Sequence, residues 1–346
     1  MIWLARLTAF AANCNLLISY LGYFWEGAGA GPVRVILILA IVALLTAVNI
    51  IGVRDAARLS NIFAIGKLIP IILFIAVGLF FINIDNFSAP PPLTIGSFSE
   101  SVLLLVYAFT GFEMAVIPAG EVSNPQRNLP VAMLIAIGVV ALVYILIQVV
   151  AIGTLPGLAS SDRPLADASN QFLGAAGASL ITAGALVSIT GNLNVLILAG
   201  SRLPFAMGER GELPRFLALT HNRFRTPYAA IMFTSVIMLV LTLWSTFASA
   251  VKISTIARLI AYAATCAALM VLRYKSDARP ALFRLPFGID IAVITLALAV
   301  WLISNTTFRE VRDVLIAALI GRVLYLVCTL IYRRLKPEEA AKPPIA

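Results

Sequence analysis

Charged residues are scarce in this chain of 346 residues, and histidine is nearly absent. Asp, Glu, Lys and Arg together make up 12% of the residues, and His221 is the single histidine. It stands in a basic stretch beside Asn222 and Arg223, so we interpret it as a solvated loop residue. Without further histidines the sequence excludes catalytic triads and histidine-rich metal sites. No Gly-x-x-x-x-Gly-Lys phosphate loop is present either, which argues against a nucleotide-driven pump.

Cysteine is equally sparse. Cys14, Cys266 and Cys328 stand far apart inside apolar stretches, a spacing typical of neither a disulfide framework nor a metal cluster. We interpret them as small packing residues. We therefore expect no catalytic residues, no metal and no cofactor, and the chain is not expected to be an enzyme.

Apolar residues are abundant instead, at 61% of the chain. A membrane-spanning helix needs about 20 mainly apolar residues, and such stretches fill most of the sequence. The first of them is too long for the apolar part of a signal peptide, so we expect it to remain as a spanning helix. The sequence predicts an all-α polytopic membrane protein forming a single transmembrane domain over residues 1–346. Its ten predicted spans are 2–24, 33–52, 60–82, 97–119, 131–153, 174–206, 228–247, 253–272, 287–304 and 314–332.

Lysine and arginine total 25 and are distributed unevenly between the two sets of alternating segments. We assign 16 to one set, 6 to the other and 3 to the spans themselves; Arg258 is among the 6. Because positively charged loops stay in the cytoplasm, both termini are predicted to be cytoplasmic, in the plasma membrane. The basic residues form no single stripe with interleaved aromatics, so we do not expect nucleic acid as a partner. The expected surroundings are the lipid bilayer.

Lys67 lies deep in the third apolar stretch, where reaching the membrane surface is difficult. An ammonium group there costs several kcal/mol unless it is paired or deprotonated. One interpretation is a lysine held by helix-end carbonyl groups. The interpretation that we favour is a cation or proton site inside the helix bundle.

The centre of the fourth span combines a glycine, a hydroxyl group and a carboxylate, at Gly111, Thr110 and Glu113. Gly111 is a plausible point for the helix to unwind, which would expose carbonyl groups able to hold an ammonium group or a cation. Glu113 is costly in lipid and should face an aqueous or protein-lined path. The alternative is a close helix contact at Gly111 with Glu113 hydrogen-bonded to a neighbour.

Other polar residues recur in the spans, and each alone is more often a contact between helices than a ligand contact. We expect two or three of the group to reach a substrate. Arg6 is expected to reach the cytoplasmic interface, and Arg322 to pair within the bundle or lie near its boundary. The group comprises Asn13, Asn15, Ser188, Thr190, Asn192, Asn194 and Thr265.

Two motifs that lie close together resemble the amino acid-polyamine-organocation family of permeases. They are YAFTGFE at 107–113 and AGEVSNPQRNLP at 119–130. The resemblance extends to WLARLTAFAAN at 3–13, to RLPFAMGERGELP at 202–214 and to the Thr226-Pro227 pair that opens the next span. It implies helices 3–12 of the leucine-transporter-like fold, in which the first ten of twelve helices form two inverted five-helix repeats. The fourth span here matches the sixth of the family, so the resemblance implies that the first two family helices are missing at the amino end of this sequence.

The resemblance also implies roles for individual residues. Backbone carbonyl groups near Tyr107, Phe109 and Thr110 are expected to bind the substrate ammonium group, with Gly111 permitting the break in the helix. Glu113 is expected to be a gate or a proton-linked carboxylate. Two further groups complete the implied site: Lys67 falls where proton-coupled relatives carry a lysine in place of a sodium ion, and Asn13 and Val195 are expected to line the side-chain pocket.

The leading hypothesis is a secondary active transporter of amino acids or related amines, either coupled to protons or exchanging substrates. The alternative is a permease fragment that inserts in the membrane without transporting and acts at most as a partner or subunit.

Overall fold

A computed structural model of the chain describes residues 1–52, 56–88, 94–113, 123–274 and 286–335, with the backbone alone at 56–65 and 331–335. Within these residues the secondary structure is helical, without strands. A helix is present at each of the ten predicted positions. The helices are α1 (Ile2–Leu21), α2 (Gly31–Ile51), α3 (Ala56–Gly78), α4 (Ile95–Ala108), α5 (Pro125–Thr154), α6 (Pro164–Glu209), α7 (Tyr228–Trp244), α8 (Phe247–Tyr274), α9 (Gly288–Ser304) and α10 (Phe308–Leu335).

The helices have the length and the apolar surface of membrane-spanning segments. Six of those in the described residues, α1, α2, α5, α6, α8 and α10, are long and apolar enough to cross a bilayer. Shorter apolar helical segments of 10–17 residues belong to the other four, α3, α4, α7 and α9. Large apolar side chains such as Phe80 and Trp244 are fully presented at the surface, each 87% exposed. In water such a surface would be strongly unfavourable, whereas lipid accommodates it. The prediction of an all-α polytopic membrane protein is confirmed.

Several helix boundaries differ from the predicted spans for local reasons. α5 begins six residues before the predicted start at 131, because Pro125 suits the first position of a helix. α8 begins at Phe247 rather than 253, because Thr246 and Ser249 each accept the backbone N–H of the other through their hydroxyl oxygens. α6 carries a non-helical residue, Gly174 (φ 64°, ψ −164°), at the predicted start of the sixth span, so a separate helical piece precedes that span.

The helices pack into two compact units. The first contains the described parts of 1–67, 184–254 and 308–335, and the second contains the described parts of 68–183 and 255–307. In the first unit α1 is enclosed by its neighbours: the ring of Trp3 stacks on Phe233 of α7 at 5.8 Å, and an Nη of Arg6 donates to the carbonyl oxygen of Ala199 in α6 at 2.8 Å. Arg6 thus donates a hydrogen bond to a neighbouring helix of this unit. The prediction that it reaches the cytoplasmic interface did not include this contact.

The second unit has two apolar clusters. One joins α3, α5 and α6 through Phe74, Val150 and Ile181. The other joins α4, α8 and α9 through Leu103, Leu259 and Leu302. Because this second cluster packs α4 against α8, it places the end of α4 near the middle of α8.

Arg322 lies within a span, as the sequence predicted, and its side chain is exposed. It makes no ion pair or hydrogen bond with the described residues, so among them the predicted pairing within the bundle is not found. The sequence contains no information on which groups surround a helix.

Candidate functional site

The fourth predicted span is interrupted where the sequence indicated. α4 ends at Ala108, and Thr110 folds back so that its N–H and its hydroxyl group both donate to the carbonyl oxygen of Tyr107, at 3.0 and 2.7 Å. Gly111 then has φ +112°, a conformation that residues with a side chain rarely adopt. The predicted break near Phe109 to Phe112 is confirmed. Residues 114–119 of the predicted span, and 119–122 of the second motif, lie outside the described residues.

The break changes which carbonyl groups are available. The carbonyl oxygen of Tyr107 is occupied by Thr110, and that of Ala108 accepts the hydroxyl group of Tyr144 in α5 at 3.0 Å. The ring of Tyr144 also packs edge-on against Phe109 at 5.2 Å. Within the described residues no hydrogen bond is made to the carbonyl oxygens of Phe109 and Thr110. Both oxygens are therefore able to accept a hydrogen bond from a ligand.

Glu113 is held by three donors directly after the break. Its Oε2 accepts the backbone N–H of Gly111 at 2.8 Å and the hydroxyl group of Tyr262 at 3.3 Å, and its Oε1 accepts Nε–H of Arg258 at 3.1 Å. Arg258 and Tyr262 are four residues apart on α8 and so project from the same face. The ring of Phe112 lies 5.8 Å from that of Tyr262. The end of α4 is therefore joined to α8 by one carboxylate.

Burial gives this arrangement its energetic importance. The side chain of Arg258 is 8% exposed and that of Glu113 is 24% exposed. Removing one partner of such a pair leaves an uncompensated charge, which is strongly unfavourable. The pair satisfies both charges and also the N–H of Gly111, which the break has removed from the helical hydrogen-bond pattern. It thereby stabilises the broken form of α4.

The sequence of the chain matches a known family over residues 1–326, the amino acid permeases. The chain belongs to the amino acid permease family. It is therefore an integral membrane protein from a family of transporters, and the expectation that it is not an enzyme is confirmed.

Three relatives from Bacillus subtilis (strain 168) illustrate the range of this permease family. The chain is 27% identical to a methylthioribose transporter, covering 94% of this chain and 71% of the relative. It is 27% identical to the branched-chain amino acid permease BcaP, covering 83% of this chain and 62% of the relative. It is 29% identical to the serine/threonine exchanger SteT, covering 85% and 68%. The aligned part of the chain thus spans about two thirds of the length of these permeases.

Sequence reasoning missed Tyr144 and Tyr262 of the site, and it also missed the role of Arg258. It was assigned to the less basic set of segments, whereas the structure places it buried within α8. Without Arg258, the two sets of segments hold 16 and 5 basic residues instead of 16 and 6, so the predicted orientation is unchanged. Its position five residues after the predicted start of a span, with Tyr262 one helical turn later, was a signal that could have identified it.

The structure groups five of the predicted site residues in the second unit and three in the first. Tyr107, Phe109, Thr110, Gly111 and Glu113 surround the break of α4 in the second unit. Asn13, Lys67 and Val195 belong to the first unit.

In that first unit, Asn13 is half-buried and its amide donates to the carbonyl oxygen of Ala9 in the same helix at 2.8 Å. Val195 is 41% exposed on α6. Lys67 lies in the middle of α3 as predicted, but its side chain is exposed. The described residues therefore do not enclose it, and its role in coupling stays a prediction.

Two other polar residues from the predicted group serve as contacts between helices. The amide of Asn49 in α2 donates to Oδ1 of Asn194 in α6 at 2.8 Å. Oδ1 of Asn15 in α1 accepts from Arg34 of α2 at 2.6 Å, and its amide donates to the carbonyl oxygen of Ser245 at 3.1 Å. These bonds fit the structural interpretation of Asn15 and Asn194.

Proposed function

We propose that the chain forms the membrane domain of a secondary active transporter that moves amino acids or related amines. The observation that carries this proposal is the break of α4, where the carbonyl oxygens of Phe109 and Thr110 are left without partners among the described residues. Backbone carbonyl groups bind an ammonium group without contacting the side chain of an amino acid. This suits a family whose members are named for branched-chain amino acids and for serine and threonine.

The pocket for the remainder of the substrate is assigned to Asn13 and Val195 from the family resemblance. Because the methylthioribose transporter is also a relative, the substrate panel should include that sugar, which has no ammonium group. Transport of amines with no transport of the sugar supports binding through the carbonyl groups.

Coupling is assigned to Glu113 and Lys67. Glu113 connects the break to α8 through Arg258, so protonation of its carboxylate would weaken the bond that holds the broken helix. Lys67 is assigned to coupling from its position in the middle of α3 and from the family resemblance. We propose proton-coupled uptake or exchange in the plasma membrane, with both termini in the cytoplasm.

The decisive test combines transport with two matched glycine substitutions. Radiolabelled amino acids, amines and methylthioribose are offered to proteoliposomes that carry the chain, with an imposed pH gradient or with unlabelled substrate inside. Gly111→Leu should abolish binding while membrane insertion persists, because Gly111 has φ +112°. Gly138→Leu is the control, since an added side chain at this exposed residue of α5 meets nothing within 4 Å. Equal binding by the two variants would disprove a substrate site at the break.

The alternative function, a membrane partner or subunit without transport, has its own outcome in this experiment. It predicts correct insertion and no uptake or exchange of any substrate by the chain alone. Saturable uptake of even one amino acid that is lost in Gly111→Leu and kept in Gly138→Leu would exclude it.

A further inference from the structure

The part of α10 from Leu319 to Val327 is exposed on every side. The first half of the helix is attached to its unit: Oε1 of Glu310 lies 3.5 Å from Nζ of Lys252, and Val314 is fully buried. From Leu319 to Val327, by contrast, each residue in turn is exposed. Successive helical residues are rotated by about 100°, so nine of them sample all faces. No face of this stretch is covered by the described residues of its unit.

Arg322 lies in the middle of this exposed stretch. It is the only charged residue between Val314 and Tyr332, with eight residue steps to the first and ten to the second. These steps correspond to about 12 Å and about 15 Å along the helix. Arginine side chains reach the membrane surface from positions near helix ends, and Arg322 is two turns or more from either end of the apolar segment.

An arginine at this depth requires an anion. The guanidinium group does not give up its proton in proteins, so it remains charged and is costly in hydrocarbon. The described residues of the chain supply no acidic partner for it. Lipid phosphates lie at the depth of the headgroups, which the preceding distances place out of reach.

A second copy that pairs through its own α10 does not supply the anion either. A twofold axis beside α10 would bring two Arg322 side chains together at the same depth, where like charges repel. The acidic residues of α10, Glu310 and Asp313, lie in its first two turns. A carboxylate from a different membrane protein meets the requirement, and its helix can approach closely because a Cβ atom added at the neighbouring Gly321 would meet nothing within 4 Å.

We propose that the exposed stretch of α10, Leu319 to Val327, binds a membrane-spanning helix of another protein that carries an aspartate or glutamate at mid-bilayer depth, paired with Arg322. The test uses the full chain in phosphatidylcholine vesicles. The probe is a synthetic leucine-alanine helix long enough to span the bilayer, with one glutamate at its centre, and the comparison peptide has glutamine at that position. Association is measured by energy transfer from a fluorescent protein fused to the chain to a dye on the peptide.

The unaltered chain should bind the glutamate peptide about tenfold more tightly than the glutamine peptide. Arg322→Leu should remove this preference, and Arg309→Leu, which removes an exposed arginine from the first turn of α10, should retain it. Circular dichroism and vesicle flotation verify that each variant is folded and inserted. Arg322→Leu removes a charge from an apolar segment, so its insertion is not at risk.

Three results would overturn the proposal. The first is equal binding of both peptides by the unaltered chain, and the second is a glutamate preference that persists in Arg322→Leu. The third is energy transfer between two labelled copies of the chain, without peptide, that Arg322→Leu abolishes, because this would identify a second copy as the occupant.

Discussion

The ion pair between Arg258 and Glu113 makes a quantitative prediction about stability. Arg258→Met removes the cation and leaves a carboxylate that is 24% exposed and keeps two other donors, so we expect a loss of about 3 kcal/mol in the free energy of unfolding, near the lower end for a buried pair. Glu113→Gln leaves a guanidinium group that is only 8% exposed, and we expect a loss of about 3–5 kcal/mol.

The double variant is the informative one. With both charges removed, no uncompensated charge remains, so its loss should be smaller than the sum of the two single losses by about 2 kcal/mol or more. The assay is reversible unfolding of the purified protein in mixed micelles, followed by circular dichroism, for the four members of the cycle. The control cycle uses Arg312→Met and Asp313→Asn, whose side chains pair at 2.8 Å but are 52% and 42% exposed. That cycle should give a coupling of less than about 1 kcal/mol.

Additive losses at Arg258 and Glu113, within about 0.5 kcal/mol, would refute the argument that a buried charge pair joins α4 to α8.

Three further predictions address packing, coupling and orientation. Gly78→Ala should lower the free energy of unfolding by about 1–3 kcal/mol, because the added methyl group would overlap Val150 and Phe172. The control Gly138→Ala should be neutral or slightly stabilising. Equal unfolding midpoints for the two variants would contradict the packing of α3 on α5. If Lys67 carries the coupled proton, Lys67→Ala and Lys67→Arg should both lose pH-dependent uptake while still reaching the membrane folded. Normal pH dependence of uptake in Lys67→Arg would rule out the proton role. Reporter fusions after Asp85 and after Arg215 should lie on opposite sides of the membrane, with Arg215 in the cytoplasm, and a shared side would overturn the orientation.

Apolar runs determined the helices, and one glycine determined the break. Long apolar segments have few stable alternatives in lipid, so ten helices could be predicted from composition and breakers alone. Gly111 could be identified because it is followed closely by a carboxylate within an apolar run, a combination that an unbroken helix would accommodate poorly. The exact boundaries could not be predicted, because side-chain caps such as the one between Thr246 and Ser249 extend a helix beyond its apolar part.

The sequence could not predict which groups contact the charged residues. Depth along a helix follows from position in an apolar run, but direction around the helix depends on neighbours that are distant in sequence. Glu113 and Arg258 are 145 residues apart and meet through the packing of α4 on α8. For the same reason the sequence could place Lys67 and Arg322 within spans but could not show that both side chains are exposed.

The segment that follows α3 is joined to the end of α5 by hydrogen bonds and close packing. The carbonyl oxygen of Gly153 accepts the backbone N–H of Asn83 at 2.8 Å and the amide of Asn86 at 2.9 Å. A methyl group on Gly153 would collide with Ile82, and one on Gly78 would collide with Val150. Each of the two segments therefore fills the space that a glycine of the other segment leaves open. These contacts oppose sliding of the end of α3 along the end of α5. We therefore expect the end of α3 and the end of α5 to move together during a transport cycle, and the broken end of α4 to be the more adaptable part of the second unit.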